Sequence, residues 1–416
     1  MFLLISASAL AQTPVRFEGL RRTRATFLSQ RLNDLDYRAG VTTLAPSGRA
    51  TDSVYLAALR QQLINLPQVR EATYTLRGDT LVWTIREAAT RAPLFSFGGV
   101  RGNLNVLVGF SDQHLFGRGH HLEGFYQNNQ GRHNYLLRYR NPGIRGSRIG
   151  FGVESRRYAA LEPVYFGGAA AALDYDYTNQ SFGATLSYEL RARERVSIGV
   201  TTFRERFVRA GASSLEQAPD FLELDKLLFK VEHERDRRDW IDERVRGRRH
   251  VLTAETVVSA GESAFAIAFA EGSDYRLVGA RGNLANRVRL GLATNRNSPF
   301  APFTLDSQLN IRGSGNRIDR GTAQVVWNLE YRHRVYADKR GNFRGQVVAF
   351  SDFGAWRSPG GELSELATLS SLQHFVGAGL RLTSARARNA VLRVDYGVDW
   401  RNEGRRGLVF GFGQYF

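Results

Sequence analysis

From Leu94 to the last residue the chain alternates between apolar and polar positions, and this period of two restricts the fold more than any other feature. Within 181–191, one face collects Phe182, Ala184, Leu186, Tyr188 and Leu190, and the other collects Gly183, Thr185, Ser187, Glu189 and Arg191. The split returns in 323–335, where Val325, Trp327, Leu329 and Tyr331 oppose Asn328, Glu330, Arg332 and Arg334. It returns again near the end, with Leu392, Val394, Tyr396, Val398 and Trp400 against Arg393, Asp395 and Asp399. A soluble sandwich alternates as well, with its charged face turned to water. Number separates the two cases: about 320 residues, at roughly 20 per strand and turn, give about sixteen strands. A closed sheet that wide cannot be filled by side chains, so its polar face lines a lumen and its apolar face meets lipid. Closure also removes the exposed edges that an open sheet would carry.

Composition agrees with strands and excludes several alternatives. After the first dozen residues no apolar run reaches the ~18 that a spanning helix needs. The 42 Gly, 26 Phe and 16 Tyr suit aromatic strands joined by turns. Cysteine is absent, which rules out disulfides and thiolate metal sites. The net charge of +17 is almost all Arg, since Lys occurs only at 226, 230 and 339. These Arg residues are spread along the chain, as expected of a polar lumen and loops, so nucleic acid is not an expected partner. His120 and His121 with Glu123 are metal-ligating residue types, but neighbours on a strand point to opposite faces and could not share a site. Neither a phosphate-cradling glycine loop nor a nucleophile elbow is found, so no enzyme activity and no cofactor are expected.

The beginning of the chain reads differently. Residues 1–11 are apolar and end Ala9-Leu10-Ala11, the small-x-small form of a signal-peptidase site, although a basic leading segment is missing. Residues 13–89 then follow the order strand, helix, helix, strand, strand. Val15 to Leu20 alternates; Phe27, Leu28 and Leu32 have helical spacing, as do Tyr55, Leu56, Leu59, Leu63 and Leu66 behind Ser53. Val69 to Leu76 and Leu81 to Ile85 flank the turn Arg77-Gly78-Asp79 as a hairpin. With Phe17-Glu18-Gly19 in front and Ile85-Arg86-Glu87 behind, this unit resembles a POTRA domain. The resemblance implies a periplasmic module that captures client strands by edge pairing.

One POTRA-like unit before a barrel at 94–416 resembles the BamA superfamily, which includes assembly barrels and the transporters of two-partner secretion. Three motifs carry the likeness. Asp112-Gln113-His114-Leu115-Phe116-Gly117-Arg118-Gly119 is similar to the first barrel hairpin of that family. Ile311-Arg312-Gly313-Ser314 resembles the tip of a long loop folded back into the lumen, with Ser314 where the family has an aromatic. Phe350-Ser351-Asp352-Phe353-Gly354 resembles the strand motif facing that loop. A guanidinium and a carboxylate can form two parallel charge-assisted hydrogen bonds, so Arg312 is expected to pair with Asp352. The ending, with Leu408, Phe410, Phe412 and Phe416 on one face, resembles the β-signal of bacterial outer-membrane barrels.

The resemblance implies an outer-membrane protein that inserts or translocates polypeptides through a seam between the first strand, near Val106 to Ser111, and the last, 407–416. Gly109, Gly411 and Gly413 are expected to weaken that seam. The partners implied are unfolded outer-membrane client proteins, outer-membrane lipid and lipopolysaccharide, and periplasmic chaperones or accessory lipoproteins. The alternatives are a dedicated two-partner-type secretion pore and an anion-selective diffusion channel.

Overall fold

The computed structural model describes residues 14–38, 53–100, 103–129, 131–164, 173–191, 193–211, 218–260, 262–305, 310–314, 319–339, 342–369, 371–384, 391–402, 404–412 and 414–416. The leader expected at 1–11 and the seam residue Gly413 lie outside the described residues.

The amino-terminal unit is a small α+β domain. Strand Val15–Glu18 runs parallel to the middle strand Thr80–Glu87, which pairs antiparallel with Val69–Arg77 across a two-residue turn. Gly78 takes φ +60°, the left-handed conformation that such a turn requires. Helices Ala25–Arg38 and Ser53–Asn65 supply the core. The second helix buries Leu56, Leu59 and Leu63, one row at three-to-four spacing, and these meet Leu28, Leu32, Val69, Ala72, Trp83 and Ile85. Each buried Leu contributes about 1.5–3 kcal/mol, so this row holds the helix to the sheet.

Only 88–90 separate the small domain from the first barrel strand, Arg91–Val100. All barrel neighbours whose register is described are antiparallel, and the sheet closes on itself between the last strand, Arg406–Phe412, and Arg91–Val100. The strand segments Phe221–Asp236 and Asp239–Ile241 lie end to end against Arg244–Ser259, so the ring has sixteen staves, as the residue count predicts. Outward positions are apolar, with Phe182, Leu186, Trp327, Leu392 and Phe410 exposed. Inward positions are polar and packed: Asn328, Glu330, Asp352 and Asp395 have no exposed surface. This is the two-faced alternation that a membrane-spanning barrel requires.

Two boundaries differ from the sequence reading. The barrel begins at Arg91 rather than Leu94, and Val106 to Ser111 lie on the second strand, Asn103–Leu115. Gly109 therefore faces Leu94 and Phe125 within the wall and is not a seam residue. Pro93 masks the first strand in the sequence, because proline is excluded from most strands, yet it is tolerated where a strand borders a seam.

Candidate functional site

The loop between strands Gly282–Ala293 and Ala323–Ala337 turns back into the barrel, and its tip carries Arg312. Arg312 Nε and Nη2 donate to Asp352 Oδ2 and Oδ1, each at 2.9 Å, the bidentate fork expected from the side-chain chemistry. The Arg312 backbone N–H adds a third bond to Asp352 Oδ2 at 3.0 Å. Asn328 Nδ2 fills the remaining space, donating to Asp352 Oδ1 at 2.8 Å and to the Asn310 carbonyl at 2.7 Å. Arg312 Nη1 bonds Glu330, which Arg332 and Arg381 also reach. Arg381 in turn forks onto Asp395 at 2.7 and 3.1 Å.

The charges in this cluster are Arg312, Arg332, Arg381 and Arg393 against Glu330, Asp352 and Asp395, all with little or no exposed surface. Ions taken out of water are tolerable only when their partners are close and their hydrogen bonds are made. Here the inward residues of four strands near the end of the chain meet that condition for Arg312, Glu330, Asp352 and Asp395, whereas Arg393 approaches Asp395 only at 3.7 Å and leaves guanidinium N–H groups without a hydrogen bond among the described residues. Sequence reading found Arg312 and Asp352 but not the set around them. The signal was present in the inward positions of alternating strands, where Glu330, Arg332, Arg393 and Asp395 recur, but which strands face the loop is a matter of closure.

Packing completes the anchor. Ile311 is buried with Val326 and Phe375, with Trp356 against them. Gly313 takes φ +91°, and a Cβ there would lie 2.6 Å from the Gly397 carbonyl oxygen; the Gly313 oxygen also approaches Gly407 on the last strand. The tip therefore touches both of the final two strands. Ser314 closes the turn by donating to the Ile311 carbonyl at 2.9 Å. The aromatic contact that Ser314 cannot supply comes from elsewhere, because the Arg312 guanidinium lies 3.7 Å from the Phe350 ring centre and 4.3 Å from that of Tyr415. Gly354 sits on the facing strand, opposite Val326 and Gln373.

The end of the chain departs from expectation. Phe410 faces outward on the last strand, and the side chain of Phe412 is outside the described residues. Phe416 is not on that outer face. Beyond the strand the chain turns inward, so that the Arg332 guanidinium donates to the Phe416 carbonyl at 3.0 Å and Arg287 lies 4.9 Å from the Phe416 ring. Continuing the alternation past Phe412 placed Phe416 with lipid; the inward turn and the cationic lumen attract the aromatic pair instead. Gly411 lies against the Arg393 guanidinium, which would have to shift to admit a Cβ there.

A second anchor lies across the lumen, and sequence reading did not find it. Arg320, on the small hairpin Phe303–Leu305 and Asp319–Gly321 of the same loop, pairs with Glu162 and donates to the Ala301 carbonyl at 3.0 Å. Phe300 packs 4.2 Å from Phe207 and 5.7 Å from Tyr175. Glu162, Tyr175 and Phe207 belong to strands Ile149–Val164, Leu173–Arg191 and Glu194–Arg209, nearly opposite the Arg312 anchor around the ring. The loop is therefore a strut across the barrel, fastened at both walls.

His120 and His121 have separate partners, the Tyr139 hydroxyl at 2.8 Å and the Ser111 hydroxyl at 3.2 Å. The description "Omp85 superfamily domain" matches residues 114–416, nearly three quarters of the sequence. The chain belongs to the Omp85 superfamily. No curated protein matches it in sequence. Among solved structures this Omp85 barrel is similar to CdiB from Escherichia coli, with 12% identity, TM-score 0.59, and coverage of 96% of this chain and 73% of that one. CdiB from Acinetobacter baumannii gives 11% identity, TM-score 0.56, and coverage of 96% and 73%. BamA from Haemophilus ducreyi lacking POTRA domains 1–3 gives 13%, 0.51, and coverage of 97% and 84%. At such identities the likeness concerns the fold, including the small domain ahead of the barrel.

Proposed function

We propose that this Omp85 protein inserts or assembles β-barrel clients in the outer membrane, with its small domain acting as a periplasmic POTRA module and the junction of first and last strands as the gate. The observation that carries the reading is the pinned loop tip against the last two strands, at Gly397 and Gly407. A strut inside the lumen opposes free diffusion of solutes. Its tip instead braces the side of the wall where a client strand would enter. The last strand has only seven described residues, fewer than any other full stave among the described residues. A short last strand can hold its neighbours by few ladder hydrogen bonds, which favours parting the wall at this strand.

The small domain supports the same reading. Its outer strand Val69–Arg77 has a neighbouring strand on one side only among the described residues, and such an edge can accept an extended segment through main-chain hydrogen bonds. Captured strands would then pass to the barrel, with lipid and lipopolysaccharide around the outward face and chaperones or accessory lipoproteins delivering clients. The role involves no covalent step.

Reconstitution tests it. Proteoliposomes carrying the protein should accelerate folding of a urea-denatured outer-membrane barrel, read as heat-modifiable migration on gels. A disulfide engineered between strands 91–100 and 406–412 should abolish the acceleration until it is reduced. Undiminished client folding with the seam oxidised would remove the gate. A secretion pore would leave barrel folding unchanged but carry a soluble polypeptide across the vesicle wall, and an anion channel would show steady anion-selective current.

A further inference from the structure

The motif Asp112 to Gly119 takes no part in the lumen network; it forms a socket for the small domain. The Arg24 N–H donates to the Gly117 carbonyl at 3.1 Å, and Arg24 Nε donates to that of Phe116 at 3.2 Å. Gly117 and Gly119 have φ of +70° and +72°; a Cβ on Gly117 would overlap the Arg22 carbonyl oxygen, and one on Gly119 would come within 2.8 Å of the Phe27 ring. Arg22 reaches out of the small domain to Thr90 Oγ1 at 2.8 Å and to Asp112 Oδ2 at 2.9 Å, an oxygen that Arg91 shares at 3.1 Å.

His114 fills the centre of this socket. Its strand has 13 residues, about 9–11 suffice to cross a bilayer, and the pairing register breaks between Asp112 and Leu115. His114 therefore lies past the membrane-spanning part, on the rim beneath the small domain. It is 1% exposed, with the Phe27 ring edge-on at 5.4 Å. Nδ1 accepts the Gly119 N–H at 2.9 Å, which assigns the proton to Nε2, 3.1 Å from Thr23 Oγ1. The neutral ring is thus fully satisfied.

A second proton would abolish the Nδ1 acceptor and set two N–H groups against each other. The charged groups around the ring are Arg22, ahead of the first helix, and His120, across the turn, opposed by Glu87 from the small-domain sheet and Asp112 on the same strand. Arg24 and Arg91 complete the rim, bound to Phe116 and Asp112. Burial, then Arg22, push the His114 pKa down from 6.5 to about 4, with Glu87 and Asp112 only partly offsetting them.

We infer that His114 makes the seating of the small domain on the barrel acid-sensitive, so that the domain is held at neutral pH and released as the medium acidifies. The sign follows from proton binding. Once undocked, His114 titrates near its ordinary 6.5, whereas the docked ring resists protonation to about 4. Docking is therefore at full strength above 6.5 and weakens as pH falls, by up to about tenfold per unit, reaching roughly 150-fold at pH 4 and tending to roughly 300-fold below it. This device is independent of the assembly reading, since it concerns only how domain and barrel meet.

The native chain has no cysteine, so spin labels can be placed through Thr75→Cys and Ala280→Cys in the full-length protein in micelles. Between pH 7.5 and 4, double electron–electron resonance should show a second, longer distance growing at the expense of the first. His114→Gln can accept from Gly119 and donate to Thr23 without titrating, and should keep the short distance throughout. An unchanged distribution in the native background, or equal pH dependence in His114→Gln, overturns the inference. If His114→Gln fails to seat even at pH 7.5, nitrogen NMR of the otherwise native chain decides: titration of His114 near 4 supports the inference, and near 6.5 overturns it.

Discussion

Asp352→Asn is the most informative single change in this molecule. The carboxylate accepts four hydrogen bonds, three from Arg312 and one from Asn328, and neither it nor Arg312 has exposed surface. The amide is nearly isosteric, so little packing is lost. It keeps one acceptor oxygen and turns an NH2 group toward donors that need an acceptor. Two carboxylates would then face the four guanidiniums of the cluster. Breaking one partner of a buried pair costs about 3–5 kcal/mol, and Glu330 remains to hold Arg312, which favours the low end. About 3 kcal/mol, at 1.4 kcal/mol per decade, raises the released-loop population roughly 150-fold. Most of the barrel should be untouched, because its ladder bonds are unaffected. The assay is limited trypsin cleavage after Arg312 and Arg320 in folded protein, supported by hydrogen exchange over 310–322. Asp225→Asn, which breaks the exposed pair with Arg204, should leave both readings unchanged. A cleavage rate in Asp352→Asn within twofold of native would refute the buried-charge reasoning.

Other outcomes follow from the same geometry. Glu162→Gln leaves Arg320 buried opposite a neutral group, so the second anchor should loosen by about 2–3 kcal/mol; planar-bilayer recordings should show larger, more frequent openings, and native-like currents would argue against a strut. Gly117→Ala should unseat the small domain, since both its positive φ and the Arg22 carbonyl oppose a Cβ; exposure of 14–38 to protease reports it, and native protection would contradict the socket. Glu87 accepts backbone N–H groups from Arg21, Arg22 and Thr23 at 2.7–3.2 Å. Burial alone would raise its pKa, but these bonds and the Thr23 hydroxyl hold it below the ordinary 4.5. Its contribution is thus complete above pH 4.5 and is lost as pH falls through the lower folded value, so Glu87→Gln should remove this most acidic part of the small domain's pH-dependent melting.

The architecture was legible in the sequence because it depends on local repeats. Alternation, residue number and turn spacing are enough for about sixteen strands, and three-to-four spacing at Leu56, Leu59 and Leu63 is enough for the second helix. Family motifs also marked Arg312 and Asp352. The sequence reading placed Gly109 at the seam and Phe416 toward lipid, and both assignments failed for one reason: the ends of strands are set by what the neighbouring chain offers. Pro93 is accepted in a strand beside the seam, and the aromatic tail finds cations within the lumen.

Amino-acid order by itself therefore determined a two-faced sheet long enough to close, and the small domain before it. Tertiary structure decided which inward charges meet. Arg320 and Glu162 are 158 positions apart, and Thr23 and His114 are 91 apart. No local pattern relates such residues, because a period of two says which side of the wall a side chain faces but not which other strand closure brings opposite it.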